Sequence, residues 1–233
     1  MFLKALITVC CGILFGAAVT PPQPAAKGAV KVYKGQPIEY IIRWFAYFTV
    51  VSSAFLAFGA TIAAASIPSS RLKPYLPILC PKGADTSWTL AATMSPRFIF
   101  GAVIVIFGGA LRLWSFRVLG PLFTFEVVIH KDHRIIKSGP YAFIRHPAYL
   151  GMIALTVGVH LMQFGANGYV TVCDLIHSPA AVFVYMWWPG SVFVIVSMLV
   201  RCAAEDVQLE KHFGDEWHRY RTEVPYGLLP FVY

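Results

Sequence analysis

Five long apolar stretches, at approximately 2–20, 40–66, 98–119, 148–165 and 179–200, restrict the fold of this chain more than any other feature. A helix needs roughly 20 such residues to cross about 30 Å of hydrocarbon. One soluble core has no use for this much apolar surface, since 58% of the residues are hydrophobic and 13% charged, against roughly 25% charged in an average soluble domain. The excess must face lipid. The pattern therefore predicts an all-α integral membrane protein with about five transmembrane helices and a helical C-terminal tail. Polar, Pro- and Gly-bearing segments divide the spans: Pro21-Pro22-Gln23-Pro24, Pro68 to Pro96, Arg117 to Pro147, and Asn167 to Ser178.

The basic residues orient the chain. With the N-terminus outside, twelve of the 19 Lys and Arg fall in the segments after the first, third and fifth spans, and five fall on the other side. That is the positive-inside bias of a cytosolic face. The first span has some marks of a cleaved signal peptide, Lys4 ahead of an apolar run ending near Ala17-Ala18. Cleavage would put the 117–147 loop outside and reverse the bias, so five retained spans are expected. The formal charge of +8 lacks the basic run expected of a nucleic-acid surface, and no nucleic-acid partner is expected. Five Cys, two of them adjacent at Cys10 and Cys11, form neither a disulfide framework nor a metal-finger spacing and read as packing residues.

On this topology the 117–147 loop and the tail after 200 share the cytosolic side and hold most of the titratable groups, so a site belongs between them. Pro147 suits the first turn of a helix, which starts the fourth span near His146. Arg145 and His146 then stand at a helix N-terminus suited to an anion or carboxylate, or else Arg145 snorkels to headgroups and His146 caps the helix. His130 and His133 lack a matching acidic or Cys ligand, so no metal is expected. His160 and Gln163, inside the fourth span, face the protein interior, where His160 either lines a pocket or bonds a neighbouring helix. Arg201 and Glu205 are one turn apart on one helix face, in the weaker order for a salt bridge, which leaves each able to hold something else. Leu209, Phe213, Trp217 and Tyr220 make an apolar stripe broken at Gly214, with Asp215 as a cap, and read as an interfacial segment that lids Glu205.

Gly139-Pro140-Tyr141, Arg145-His146-Pro147-Ala148-Tyr149-Leu150-Gly151, Glu205-Asp206, Phe213-Gly214 and Val224-Pro225 ahead of Pro230-Phe231 resemble, in order and spacing, the isoprenylcysteine carboxyl methyltransferase family. The resemblance runs from about Leu119 to Tyr233, and its Arg-His-Pro-x-Tyr-x-Gly part is shared with phospholipid methyltransferases. It implies one membrane methyltransferase domain over 1–233, with three N-terminal spans in 1–118 and the catalytic, cofactor-binding region in 119–233. It also implies an S-adenosylmethionine pocket using Glu126, His133, Arg134, Ile135, Ile136, Tyr141, His146, Pro147, Ala148, Tyr149 and Glu205. Arg201 matches a substrate-contacting arginine. The implied partners are prenylated CaaX-type proteins after proteolysis, the implied location the endoplasmic reticulum membrane with the site facing the cytosol.

The implied reaction esterifies a C-terminal carboxylate that is already ionised at neutral pH, with a reference pKa near 3.5, so no general base is required. The task is to desolvate and hold it, for which the planar, always-charged fork of Arg201 or Arg145 is suited, with Glu205 on the cofactor. Arg145, Arg201 and Glu205 are thus the candidate catalytic residues. The alternatives are N-methylation of phosphatidylethanolamine, which needs a base such as His133, His146 or Glu205 to deprotonate an amine of pKa about 10, and a non-catalytic membrane scaffold or transporter.

Overall fold

The computed structural model describes residues 2–20, 30–31, 51–52, 74, 80–82, 93–123, 128–129 and 134–230. In chain order their helices are α1 (Phe2–Val19), α2 (Pro96–Leu119), α3 (Pro147–Gln163), the short α4 (Tyr169–Val172), α5 (Ala181–Phe213) and α6 (Asp215–Glu223). The departure from the all-α expectation among these residues is one two-residue antiparallel pair, β1 (Val30–Lys31) with β2 (Val128–Ile129). The expected spans at 2–20, 98–119, 148–165 and 179–200 fall on α1, α2, α3 and α5. The expected span at 40–66 lies outside the described residues, save 51–52. Pro96–Leu122 and Ala181–Phe213 are long and apolar enough to cross a membrane, and Leu3–Val19 and Pro147–Gln163 are shorter apolar helices.

The local sequence sets these boundaries. Ser95 caps α2, its Oγ accepting the Phe98 N–H at 3.2 Å, and Pro96 follows at a position that loses no hydrogen bond. Pro147 begins α3 in the same way, as its sequence predicts. α5 continues past the expected end near 200 to Phe213, so Arg201 and Glu205 lie on unbroken helix. Gly214, at φ 50°, turns the chain into α6; this glycine takes the capping position that Asp215 was expected to fill.

α2 and α3 pack backbone to backbone. A Cβ on Gly108 would stand 2.7 Å from the Gly151 carbonyl oxygen, and one on Gly101 would stand 2.8 Å from that of Gly158. Small residues at such levels let membrane helices approach closely. α1 closes one side of the pair, burying Phe15, Ala18 and Val19, and Phe15 meets Trp187 of α5 with ring centroids 6.1 Å apart. The first apolar stretch is therefore part of the folded bundle. The outer faces of α2 and α5 expose Ile99, Phe100, Val103, Phe107, Tyr185, Trp188, Val192 and Val196. A monomer in water rarely exposes apolar surface that continuous.

The helix directions follow from the contacts. Lys4 Nζ, at the start of α1, donates to the carbonyl oxygens of Thr93, just before α2, and Asn167, just after α3. At the same end Cys80 and Cys173 form a disulfide beside Val170, Leu175 and Val184. This corrects the reading of all five cysteines as packing residues: spacing does not reveal a pair 93 residues apart that only the fold brings together. Cys11 and Cys202 are indeed buried free thiols, while Cys10 is exposed. His160, near that end, stacks on Phe164 at 4.6 Å and meets the edge of Trp188 of α5 at 4.4 Å, bonding to a neighbouring helix as one of its expected roles required.

Candidate active site

The opposite end of the bundle gathers the end of α1, the end of α2, the start of α3 and the charged part of α5. A 3-10 turn at Gly139–Ala142 leads the chain into α3. Gly139 is required there, because at φ 60° a Cβ would also press 2.9 Å from Val118. His146 is the residue before α3, and its side chain makes no capping bond. It is engaged by α5 instead. Its Nε2 lies 2.7 Å from Asp206 Oδ1 and its Nδ1 lies 3.6 Å from Glu205 Oε2.

A ring with a carboxylate at each nitrogen is suited to carrying two protons. Burial pulls the His146 pKa down, but hydrogen bonds and charge from Asp206 and Glu205 more than reverse this and push it up to about 9. The α3 N-terminus expected to attract an anion thus already has two of the chain's own carboxylates beside it. Asp206 also reaches Arg145, with Oδ2 3.3 Å from Nη2. Arg145 is only 7% exposed and neither snorkels nor faces an open cleft. Its Nη1 donates to the carbonyl oxygens of Val224 and Pro225 at 2.9 and 2.6 Å, and its backbone N–H and that of His146 donate to Tyr226 and Gly227, both at 2.9 Å. The C-terminal segment is strapped across the entry to α3.

Tyr149 follows one turn along α3, its ring stacked on His146 with centroids 5.6 Å apart. Its hydroxyl interacts with both Arg201 and Glu205, and the Arg201 guanidinium carbon is 5.9 Å from its ring centroid. Arg201 is 2% exposed, whereas the Glu205 side chain keeps 33% of its surface open against 15% for Asp206. His146, Tyr149, Arg201 and Glu205 therefore converge as one cluster, with Pro147 and Ala148 buried beside it. Tyr141 is buried close by, and its carbonyl accepts from the Tyr220 hydroxyl at 2.8 Å. Ile135 packs on Trp217, Tyr220 and Val224, Ile136 is half-buried and Arg134 is exposed. Glu126, His130 and His133 lie outside the described residues.

Two contributors escape a reading by motif. Asp206, which the sequence offers only as the second member of the Glu205-Asp206 motif and not as a site residue, makes the shorter contact to His146. The stripe of Leu209, Phe213, Trp217 and Tyr220 was expected at the membrane interface, yet Trp217 is 1% exposed inside a small core of its own. Its signal was Ile135, ahead of the turn into α3, and Val224, at the start of the strap, both apolar residues that pack with it.

Fold and site together define a helical protein with membrane-type helices and a polar, ion-paired cluster at one end. Residues 101–209 match the model of the isoprenylcysteine carboxyl methyltransferase (ICMT) family. Among curated relatives, the rat protein-S-isoprenylcysteine O-methyltransferase is 28% identical over 157 residues, covering 66% of this chain and 46% of its own length. The human enzyme of the same name is 28% identical over 136 residues, covering 58% and 41%. Protein-S-isoprenylcysteine O-methyltransferase B of Arabidopsis thaliana is 29% identical over 140 residues, covering 57% and 59%. The chain thus spans about half the length of the curated relatives it matches.

Proposed function

We propose that this protein transfers a methyl group from S-adenosylmethionine to the C-terminal carboxylate of an isoprenylated cysteine, giving a methyl ester. The observation that carries this reading is the convergence of His146, Tyr149, Arg201 and Glu205 inside the family-matched segment. The donor set suits the polar parts of such a cofactor. Glu205 is an acceptor with a third of its side chain open, next to the Tyr149 hydroxyl. Arg134 to Ile136, Tyr141, His146 to Tyr149 and Glu205 would hold the cofactor, joined by Glu126 and His133. When bound, it supplies an electrophilic methyl group on a sulfonium.

The chain's own residues then have to bind, desolvate and orient. The substrate carboxylate is ionised before it arrives, so no proton has to be removed. Arg201, buried on α5 one turn before Glu205, is placed to grip it, and holding the two reactants in line can supply about 7–11 kcal/mol of barrier reduction. Arg145 is the weaker candidate for that grip, because its guanidinium is already shared between Asp206 and the strap. A prenyl chain partitions into lipid and can approach sideways between helices, while the cofactor arrives from the aqueous side.

The finer topology belongs to the same proposal: five spans, a single methyltransferase domain, and a site facing the cytosol from the endoplasmic reticulum membrane, acting on prenylated proteins after CaaX proteolysis. The Cys80–Cys173 disulfide supports this orientation independently of the charge count, since disulfides persist in oxidising compartments and this one lies at the end of the bundle away from the site. N-methylation of phosphatidylethanolamine fits less well. It needs a base, and of the candidates His133, His146 and Glu205 the ring of His146 is shifted toward its protonated form by the two carboxylates beside it. Against the upward pull of burial, the neighbouring cations hold Glu205 below the usual carboxylate range, which weakens it as a base.

Purified protein with methyl-labelled S-adenosylmethionine and N-acetyl-S-farnesylcysteine should form a base-labile methyl ester. Label passing only to phosphatidylethanolamine would overturn the reading in favour of a lipid methyltransferase, and no transfer with no cofactor binding would reduce the chain to a scaffold.

A further inference from the structure

An arginine within a membrane-type helix is costly and is kept only where it is paired and has a task. Arg112 of α2 is 4% exposed, and the reaction outlined above does not use it. Its Nε donates to the carbonyl oxygen of Ala18, in the last turn of α1, at 2.7 Å. The carbonyls of a last helical turn lack a partner within their own helix, so this bond completes α1. Nη1 donates to the carbonyl oxygen of Ala148, in the first turn of α3, at 2.8 Å. The guanidinium carbon also lies 5.0 Å from the Phe116 ring centroid and 6.0 Å from that of Phe123. α2 and α3 are pressed together at this level, for a Cβ on Gly151 would fall 2.9 Å from that of Arg112.

We infer that Arg112 is a positioning residue for methyl transfer, locking the first turn of α3 from inside the bundle while Glu205 and Asp206 hold His146 from the side of α5. The inference rests on the proposed methyltransferase reading. The first turn of α3 carries Ala148 and Tyr149, the residues proposed to line the cofactor, and Tyr149 must meet Arg201 and Glu205 of another helix. Ion pairs at His146 fix only the residue before the helix. Arg112 fixes the helix itself, against a carbonyl just beyond His146. A planar fork can hold two carbonyls on different helices at once, whereas the ammonium of a lysine is a point donor on a flexible stem.

The test compares Arg112→Met and Arg112→Lys with Gly101→Ala, which disturbs the same α2–α3 contact at the end away from the site. The readouts are thermal unfolding in detergent and the Kd for S-adenosylmethionine by titration calorimetry. Both Arg112 variants should weaken cofactor binding tenfold or more, while Gly101→Ala lowers Tm but leaves Kd within twofold of the unsubstituted protein. If Gly101→Ala weakens binding as much as the Arg112 variants do at a similar Tm, Arg112 is merely structural and the inference fails. If Arg112→Met does not fold, Arg112→Lys decides: a Kd within twofold of the unsubstituted protein overturns the inference. An unsubstituted protein that binds no S-adenosylmethionine overturns the methyltransferase reading itself and this inference with it.

Discussion

At one end of the bundle Cys80 and Cys173 join two distant segments covalently, and Lys4 ties the start of α1 to the loops before α2 and after α3. At the other, Arg145 and His146 are held to α5 by Asp206 and Glu205, and to the strap by hydrogen bonds. The disulfide needs no protonation state and adapts to nothing. The connections at the other end are made of groups that also suit a ligand, and keep Glu205 partly open. The contrast separates a framework end from a working end, and it predicts that damage at the two ends will be read by different measurements.

The largest loss should follow Asp206→Ala. Asp206 bridges His146 and Arg145, both buried, and removing one partner of a buried ionic cluster typically costs about 3–5 kcal/mol. Thermal unfolding in detergent should drop and cofactor affinity should fall with it; a variant that unfolds normally and binds S-adenosylmethionine at full strength would dissolve the distinction at the working end. Arg201→Ala should do less to the fold and more to the chemistry. If Arg201 grips the carboxylate as proposed, kcat/KM should fall roughly 100- to 1,000-fold, the scale seen when one preorganised charge-stabilising donor is removed, while the Kd for the cofactor stays within a few-fold. Unchanged turnover would remove Arg201 from the site.

Replacing both Cys80 and Cys173 by Ser tests the framework end. The bond closes a loop with a sequence separation of 93 residues, and such cross-links typically contribute about 2–4 kcal/mol. Stability should fall by that order while the Kd for S-adenosylmethionine is preserved, because the described site residues lie at the other end of the bundle. An equal loss of cofactor affinity would mean that the two ends are mechanically coupled and the comparison is wrong.

The two ends also differed in how far they could be read from sequence. The working end was legible because its residues sit in short local patterns: Pro147 sets the start of α3, and Arg201 and Glu205 lie one turn apart on one helix. Periodicity and Pro placement report such features directly. What was hidden depended on contacts between segments far apart in the chain. The disulfide joins residues 93 apart, Arg145 turns to Val224 and Pro225, and Arg112 reaches Ala18 and Ala148. Trp217 and Tyr220 were misplaced for a related reason. An apolar stripe has the same spacing whether lipid or protein covers it, and only the fold brings Ile135 across to do so.

The smallest effect expected is that of pH, and its sign follows from His146. In the folded protein its pKa is raised to about 9 from an ordinary value of 6.5, so the folded state binds this proton more tightly than the unfolded chain does. The contribution of the protonated ring to stability is complete below about pH 6.5 and is lost as pH rises through about 9. The loss is partial in its consequences, because a neutral ring can still donate from one nitrogen to one carboxylate, while Arg145 keeps its ion pair with Asp206. At roughly 2–4 °C of Tm per kcal/mol for a chain of this size, unfolding should move down by a few degrees between pH 7 and pH 9.5. His146→Gln, which cannot carry the charge, should flatten that part of the profile, whereas the doubly Cys-to-Ser variant should keep it at a lower Tm. If removing the disulfide flattened it as well, the pH response would belong to the framework end and His146 would not be its source.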